Sequence, residues 1–194
     1  MSAPHAQLFR EVAATMTVAA ESSLPADIER AVDVIDGAFV GGRKLLVFGN
    51  GGSSADAQHL VAELVGRFAA VRAPLPAIAL TTNQALLTAW SNDDSFDDVF
   101  SRQIVALGAT GDVALGLSTS GASRNVLNAL AAARSRGLRT IGLTGGRPGA
   151  MTDHCDLVMT VPSVETARVQ EVHLVTYHGI CAALEQRLLA RSRG

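Results

Sequence analysis

Lys44-Leu45-Leu46-Val47-Phe48-Gly49-Asn50-Gly51-Gly52-Ser53-Ser54-Ala55-Asp56-Ala57-Gln58-His59-Leu60-Val61-Ala62-Glu63 reads as strand, glycine turn and helix in that order. The hydrophobic run from Lys44 to Phe48 is expected to make a short buried strand, and Ser53 or Ser54 is expected to open the helix. Glycines let backbone N–H groups close on an anion, and a helix N-terminus adds its positive end, so the turn is a phosphate seat. His59 and Glu63 follow at i and i+4 and leave one helix face. A phosphate anchor beside an acid/base or metal pair points to chemistry on a phosphorylated small molecule.

Outward from this stretch the pattern repeats. Short apolar runs at Lys44–Phe48, Ala77–Leu80, Val113–Leu117, Thr140–Leu143 and Leu157–Val161 are expected strands. Between them lie expected helices at Ser54–Phe68, Gln84–Trp90, Phe96–Leu107, Ser123–Ser135 and Thr166 to about Arg191, with a short one at Ala150–His154. Five apolar strands separated by helices predict an α/β three-layer sandwich around a five-stranded parallel sheet. Residues 1–43 read as two helices, with stripes Leu8, Val12, Thr15, Met16, Ala19 and Ile28, Val32, Ile35, Phe39; Pro25 suits a first turn and Gly41-Gly42 a stop. The chain is expected to form one domain over 1–194, with 1–43 a helical extension and 44–194 the α/β core. Arg187–Gly194 reads as a fraying basic end.

The chain has 194 residues, 48% hydrophobic and 18% charged, enough for a sizeable core and far from disorder. A net charge of −2 gives no sign of a nucleic-acid or anionic-membrane surface. Cys155 and Cys181 are not closely spaced and read as reduced, buried thiols of a cytoplasmic protein. Glu11 interrupts any signal-peptide core, and no run of about 18 apolar residues could span a bilayer.

Ligands of such sheets bind beyond the carboxyl ends of the strands, where the polar loops fall. Ser118-Thr119-Ser120-Gly121-Ala122-Ser123 offers four hydroxyls around one glycine, many donors and no cation, which suits a phosphate monoester. A helix N-cap alone needs one hydroxyl, not four. A dinucleotide fingerprint fails because position 54 is serine and the second strand closes on Leu80-Thr81-Thr82 without an acid. On the last helix Gln170 and His178 lie along one face. With His59 and Glu63 they would suit zinc, and equally a metal-free acid/base pair of Glu63 and His178. His173 reads as packing or interface. Asn92-Asp93 is expected in a loop, where Asp93 could meet sugar hydroxyls or merely cap the next helix.

Five segments in order resemble the phosphoheptose isomerases of the sugar-isomerase (SIS) domain superfamily. They are Gly49-Asn50-Gly51-Gly52-Ser53, Ala57-Gln58-His59 through Glu63-Leu64, Asn92-Asp93, Ser118-Thr119-Ser120-Gly121-x-Ser123, and Arg168-Val169-Gln170-Glu171-x-His173 on to His178. The resemblance implies interconversion of sedoheptulose 7-phosphate and D-glycero-D-manno-heptose 7-phosphate by a homotetramer with active sites at subunit interfaces. It implies that Asn50, Gly51 and Gly52 line the substrate site and that Ser53, Ser118, Thr119, Ser120 and Ser123 surround the phosphate. Asn92, Asp93 and Gln170 would meet the sugar. His59, Glu63, Gln170 and His178 would hold zinc, with Glu63 the catalytic base and His178 its acid partner.

Related SIS proteins set the alternatives. One branch associates with the bacterial replication initiator and lacks the Glu and the final His, both present here as Glu63 and His178. Another sugar phosphate is the remaining alternative. Departures fall at Ser54-Ala55, at the bulky Trp90-Ser91, and at Arg147-Pro148, where glycine-rich turns are usual.

Overall fold

The computed structural model describes residues 4–192. Two helices come first, α1 (Pro4–Glu21) and α2 (Leu24–Val40), and Pro25 occupies the first turn of α2 as its fixed φ allows. Five strands follow: β1 (Leu45–Gly49), β2 (Ala77–Ala79), β3 (Val113–Ser118), β4 (Arg139–Thr144) and β5 (Leu157–Thr160). Interspersed are α3 (Gly52–Val65), α4 (Gln84–Asp93), a 3₁₀ turn at Phe96–Asp98, α5 (Val99–Leu107), α6 (Arg124–Ser135), α7 (Met151–His154) and the long α8 (Thr166–Arg191). All strands are parallel, in the order β2-β1-β3-β4-β5.

Alternate residues of the strands feed two separate cores, because successive side chains of a strand point to opposite faces. Leu45, Val47, Leu115, Leu117, Leu143 and Met159 pack with α2, α3 and α8. Leu46, Phe48 and Ala114 pack on the other face with Phe100, Ile104, Val126, Leu130 and Met151. β1, β3 and nearly all of β4 are buried end to end, as expected of strands covered on both sides. The chain leaves β1 for β2 on one side and returns to β3 on the other. Such a reversal opens a crevice between the loops that follow β1 and β3, and those loops hold the glycine turn and the serine cluster.

Several boundaries differ from the sequence expectation. Helix α3 starts at Gly52, its N-cap is Gly51, and neither Ser53 nor Ser54 caps it with a side chain. It ends at Val65 rather than Phe68, because the buried carboxylate of Glu185 accepts the backbone N–H groups of Phe68, Ala69 and Ala70 at 2.9–3.2 Å and pulls the chain out of the helix. Asn92 and Asp93 are not in a loop; they form the last turn of α4. The segment Phe96–Leu107 splits into the 3₁₀ turn, capped by the Ser95 hydroxyl, and α5. Arg187 and Arg191 do not fray. They belong to α8 and reach Asp33 and Asp36 of α2 at 2.7 and 2.8 Å.

Among the described residues no helix is long and apolar enough to cross a membrane. Both cysteines are free, and burial pushes each thiol up to about 12, so neither is a nucleophile at neutral pH.

His173 is fully buried on α8, with neither ring nitrogen hydrogen-bonded. Burial pushes its pKa down to about 4, against a smaller opposing pull from the Thr144 backbone. The unfolded chain, with an ordinary histidine near 6.5, therefore binds more protons between these values. Stability from this group is complete above about pH 6.5 and falls by roughly 3 kcal/mol as pH drops toward 4. Urea midpoints measured from pH 7.5 to 4.5 should fall more steeply for the wild type than for His173→Gln.

Candidate active site

The turn between β1 and α3 is shaped by what surrounds it. Gly51 sits at φ 56°, a backbone conformation open to glycine. A Cβ on Gly52 would overlap the side-chain amide of Gln170, so α8 lays Gln170 directly on the start of α3. Ser53 is buried against the ends of β1 and β3. The first-turn N–H groups of α3 and the positive end of that helix face the crevice.

Asn50 has a role that sequence reading did not find. Its amide exchanges two hydrogen bonds with Asn125, donating at 2.8 Å and accepting at 2.9 Å. This pair ties the glycine turn to the first turn of α6. Asn125 is 2% exposed and carried no local signal as a site residue, since its partner lies 75 positions away.

The hydroxyls after β3 converge. Ser118 Oγ lies 3.0 Å from Ser123 Oγ and 3.4 Å from Ser120 Oγ. Ser123 occupies the N-cap of α6 but makes no side-chain cap, so its hydroxyl belongs to the cluster rather than to the helix. Thr119 and Ser120 are the more exposed members and line an open cavity of about 240 Å³ with Arg147 and Val164. Three hydroxyls that satisfy one another can each turn to donate to an anion.

His59, Glu63 and His178 meet between α3 and α8. His59 Nε2 is 3.1 Å from Glu63 Oε1, and the His178 ring stands edge-on to His59 with centroids 5.1 Å apart. Phe68 and Tyr177 flank His178 at 5.4 and 5.1 Å. Tyr177, buried, places its hydroxyl 2.9 Å from His59 Nδ1 and 3.5 Å from Asp56 Oδ1. Desolvation raises the Asp56 carboxyl above its usual range, with Tyr177 and His59 pulling the other way. The relay from Asp56 through Tyr177 fixes the plane of the His59 ring. Glu63 is held from behind: Arg72 donates to the carbonyls of Glu63 and Leu64 at 2.7 and 2.6 Å and pairs with Glu185 at 3.4 Å. Three backbone N–H groups outweigh the cost of burying Glu185 and keep its carboxyl below the ordinary range. None of Asp56, Arg72, Tyr177 and Glu185 had a signal in the sequence pattern.

The structure therefore brings together Gly51, Gly52, Ser53 and Gln170 at the turn, Ser118, Ser120 and Ser123 at the second loop, and His59, Glu63 and His178 between the helices. Asn92 and Asp93 lie on the last turn of α4. They are exposed and bond to each other at 2.8 Å.

The sequence and the fold recur in known proteins. A sequence model of the SIS domain matches residues 7–145. A phosphoheptose isomerase of Bradyrhizobium sp. (strain ORS 278) is 50% identical over 96% of this chain and 94% of its own length. The chain belongs to the phosphoheptose isomerases. The solved phosphoheptose isomerase of Neisseria gonorrhoeae superposes with a TM-score of 0.88 at 38% identity, covering 93% of this chain and 96% of that one. That of Francisella tularensis superposes at 0.89 with 36% identity, covering 93% and 95%. This isomerase is thus an enzyme with the three-layer SIS fold.

The zinc implied by the resemblance can be tested against these side chains. Two imidazoles, a carboxylate and an amide oxygen are a donor set zinc accepts. His178 Nε2 is buried without a hydrogen-bond partner, an orphan that a ligand would satisfy. His59 and Glu63 are turned on each other, and among the described residues no three His, Cys, Asp or Glu side chains converge. The donor types fit, with Gln170 needed as the fourth.

Proposed function

We propose that Glu63 and His178 are the proton-transfer groups with which this isomerase interconverts sedoheptulose 7-phosphate and D-glycero-D-manno-heptose 7-phosphate. One observation carries the reading: α8 lays Gln170 on Gly52 at the start of α3 and His178 on His59 two turns further on, so the glycine turn and the Glu63–His178 region lie along one α3–α8 seam. The phosphate sits on the first turn of α3 and the hydroxyls of Ser118, Thr119, Ser120 and Ser123, with Ser53 beneath. Its dianion is stabilised by donors and two helix N-termini.

With the phosphate anchored, the other end of the sugar extends toward Glu63 and His178. From the ketose, the Glu63 carboxylate removes a proton from C1 while His178 gives one to O2, forming the enediol. Glu63, its proton exchanged with solvent while the enediol is bound, then protonates C2, and His178 takes the proton of O1, leaving the aldehyde. Both groups end as they began. Each transfer contributes about 10²–10⁴ in rate. His59, Glu63, Gln170 and His178 would hold zinc, which supplies Lewis-acid stabilisation of charge on the sugar oxygens when bound.

We also place the enzyme in a homotetramer. Leu8, Phe9 and Val18 on α1 and Leu174 and Val175 on α8 are exposed apolar side chains of the kind a subunit contact covers. Asn92 and Asp93, exposed on the last turn of α4, would meet sugar hydroxyls.

The test uses purified protein and sedoheptulose 7-phosphate in heavy water. Appearance of the aldose, with solvent deuterium at C2, is the expected result, and the same preparation should elute as a tetramer. A bound substrate that never turns over or exchanges would sink the reading.

A further inference from the structure

The hydroxyl loop was read from sequence as a cradle without a cation, and the structure supplies one. Arg147 lies on the turn after β4 and lines the same 240 Å³ cavity as Thr119 and Ser120. That turn is fastened to the loop from several sides. Gly145 N donates to the Thr119 carbonyl at 3.2 Å, and Gly146 N donates to the Ser163 carbonyl at 2.7 Å. Gly121, at φ 67°, approaches the carbonyls of Pro148 and Arg147 so closely that no Cβ fits between them. The backbone under Arg147 is therefore held in fixed register with the serine cluster.

The guanidinium is also uncommitted. Arg147 makes no ion pair or side-chain hydrogen bond among the described residues, whereas Arg124 at the start of α6 faces Asp97 and Arg168 is bonded to Glu171. A planar fork of N–H donors matches two oxygens of a phosphate, and hydroxyls and backbone dipoles supply no net charge of their own.

We infer that Arg147 is a phosphate-binding residue of this isomerase, closing over Thr119 and Ser120 and setting its preference for a phosphate monoester dianion. The inference rests on the phosphate position given under Proposed function. An arginine that binds the non-reacting end of the substrate acts on ground state and transition state alike, so its loss appears in KM rather than kcat.

The experiment measures the affinity of inorganic phosphate by calorimetry, and steady-state kinetics with sedoheptulose 7-phosphate, for the wild type, Arg147→Gln, Arg147→Lys and Thr119→Val. Arg147 is exposed, so its variants should fold as the wild type does. The expected result for Arg147→Gln is a 10–100-fold loss of phosphate affinity, on the order of one or two charge-assisted hydrogen bonds. KM should rise by a similar factor and kcat stay within about threefold. Arg147→Lys should recover part of the loss, since charge returns without the fork. If Thr119→Val loses phosphate while Arg147→Gln binds it as the wild type does, the role of Arg147 is overturned and the hydroxyl cradle stands. If both variants bind phosphate like the wild type, the cradle itself lies elsewhere and both readings fall.

Discussion

Glu63→Gln is expected to lower kcat by about 10²–10⁴ while KM changes little. The substitution keeps the shape of the side chain and removes only its basicity. Its partner is the exposed His59, at 43% side-chain exposure, and Glu63 itself is 23% exposed, so the fold does not depend on the charge. An exposed pair of this kind is worth less than about 1 kcal/mol, far below the catalytic loss. Thermal unfolding should accordingly match the wild type closely, which separates a lost base from a lost fold. Solvent deuterium exchange at C1 of the ketose should vanish with turnover, because the abstraction itself is blocked. If Glu63→Gln retained a tenth or more of the activity, another carboxylate would have to be the base. Asp56 of α3, half-buried beside the Tyr177 hydroxyl of α8, would be the first to examine, because desolvation raises its carboxyl and with it its basicity.

What sequence could and could not disclose divides along the range of the interactions. The turn from Gly49 to Ser53 was legible because its chemistry is local: glycines after an apolar strand and before a helix permit few conformations. The parallel sheet was legible because strands buried on both faces are uninterrupted apolar runs. Residues whose neighbours decide their structure were not. Asn92 and Asp93 are poor helix formers, yet α4 runs through them: Ser91 bonds back to the Leu87 carbonyl at 2.6 Å, and Arg102 of α5 stacks over Trp90 at 4.5 Å. Phe68 was placed in a helix and is instead held out of it by Glu185, more than a hundred positions later. The same holds for the clamp of Asn50 on Asn125 and the contact of Tyr177 with His59, each a pairing between segments far apart in sequence with no periodic trace. Local pattern thus picked out the candidate groups, and tertiary contacts supply what orients them.

His178 is the second residue whose loss should nearly disable the enzyme, and it can be told apart from Glu63. His178→Gln should reduce kcat by about 10²–10⁴, as expected for the loss of a proton shuttle. The glutamine fills much of the space among Phe68, Tyr177 and His59, so the aromatic contacts at 5.1–5.4 Å collapse less than they would in His178→Ala. Because base and shuttle serve one proton circuit, the double variant with Glu63→Gln should be scarcely slower than the worse of the two single ones. Metal content gives a readout independent of turnover. If the unpartnered His178 Nε2 is a zinc donor, protein purified as His178→Gln and dialysed should hold markedly less zinc than the wild type. Lost turnover with wild-type zinc content would leave His178 its acid role alone and remove it from the ligand set. Retained turnover would mean that the oxygens exchange protons by another route, for which His59 is placed: its ring lies 3.1 Å from Glu63 and is oriented from behind by the Tyr177 hydroxyl.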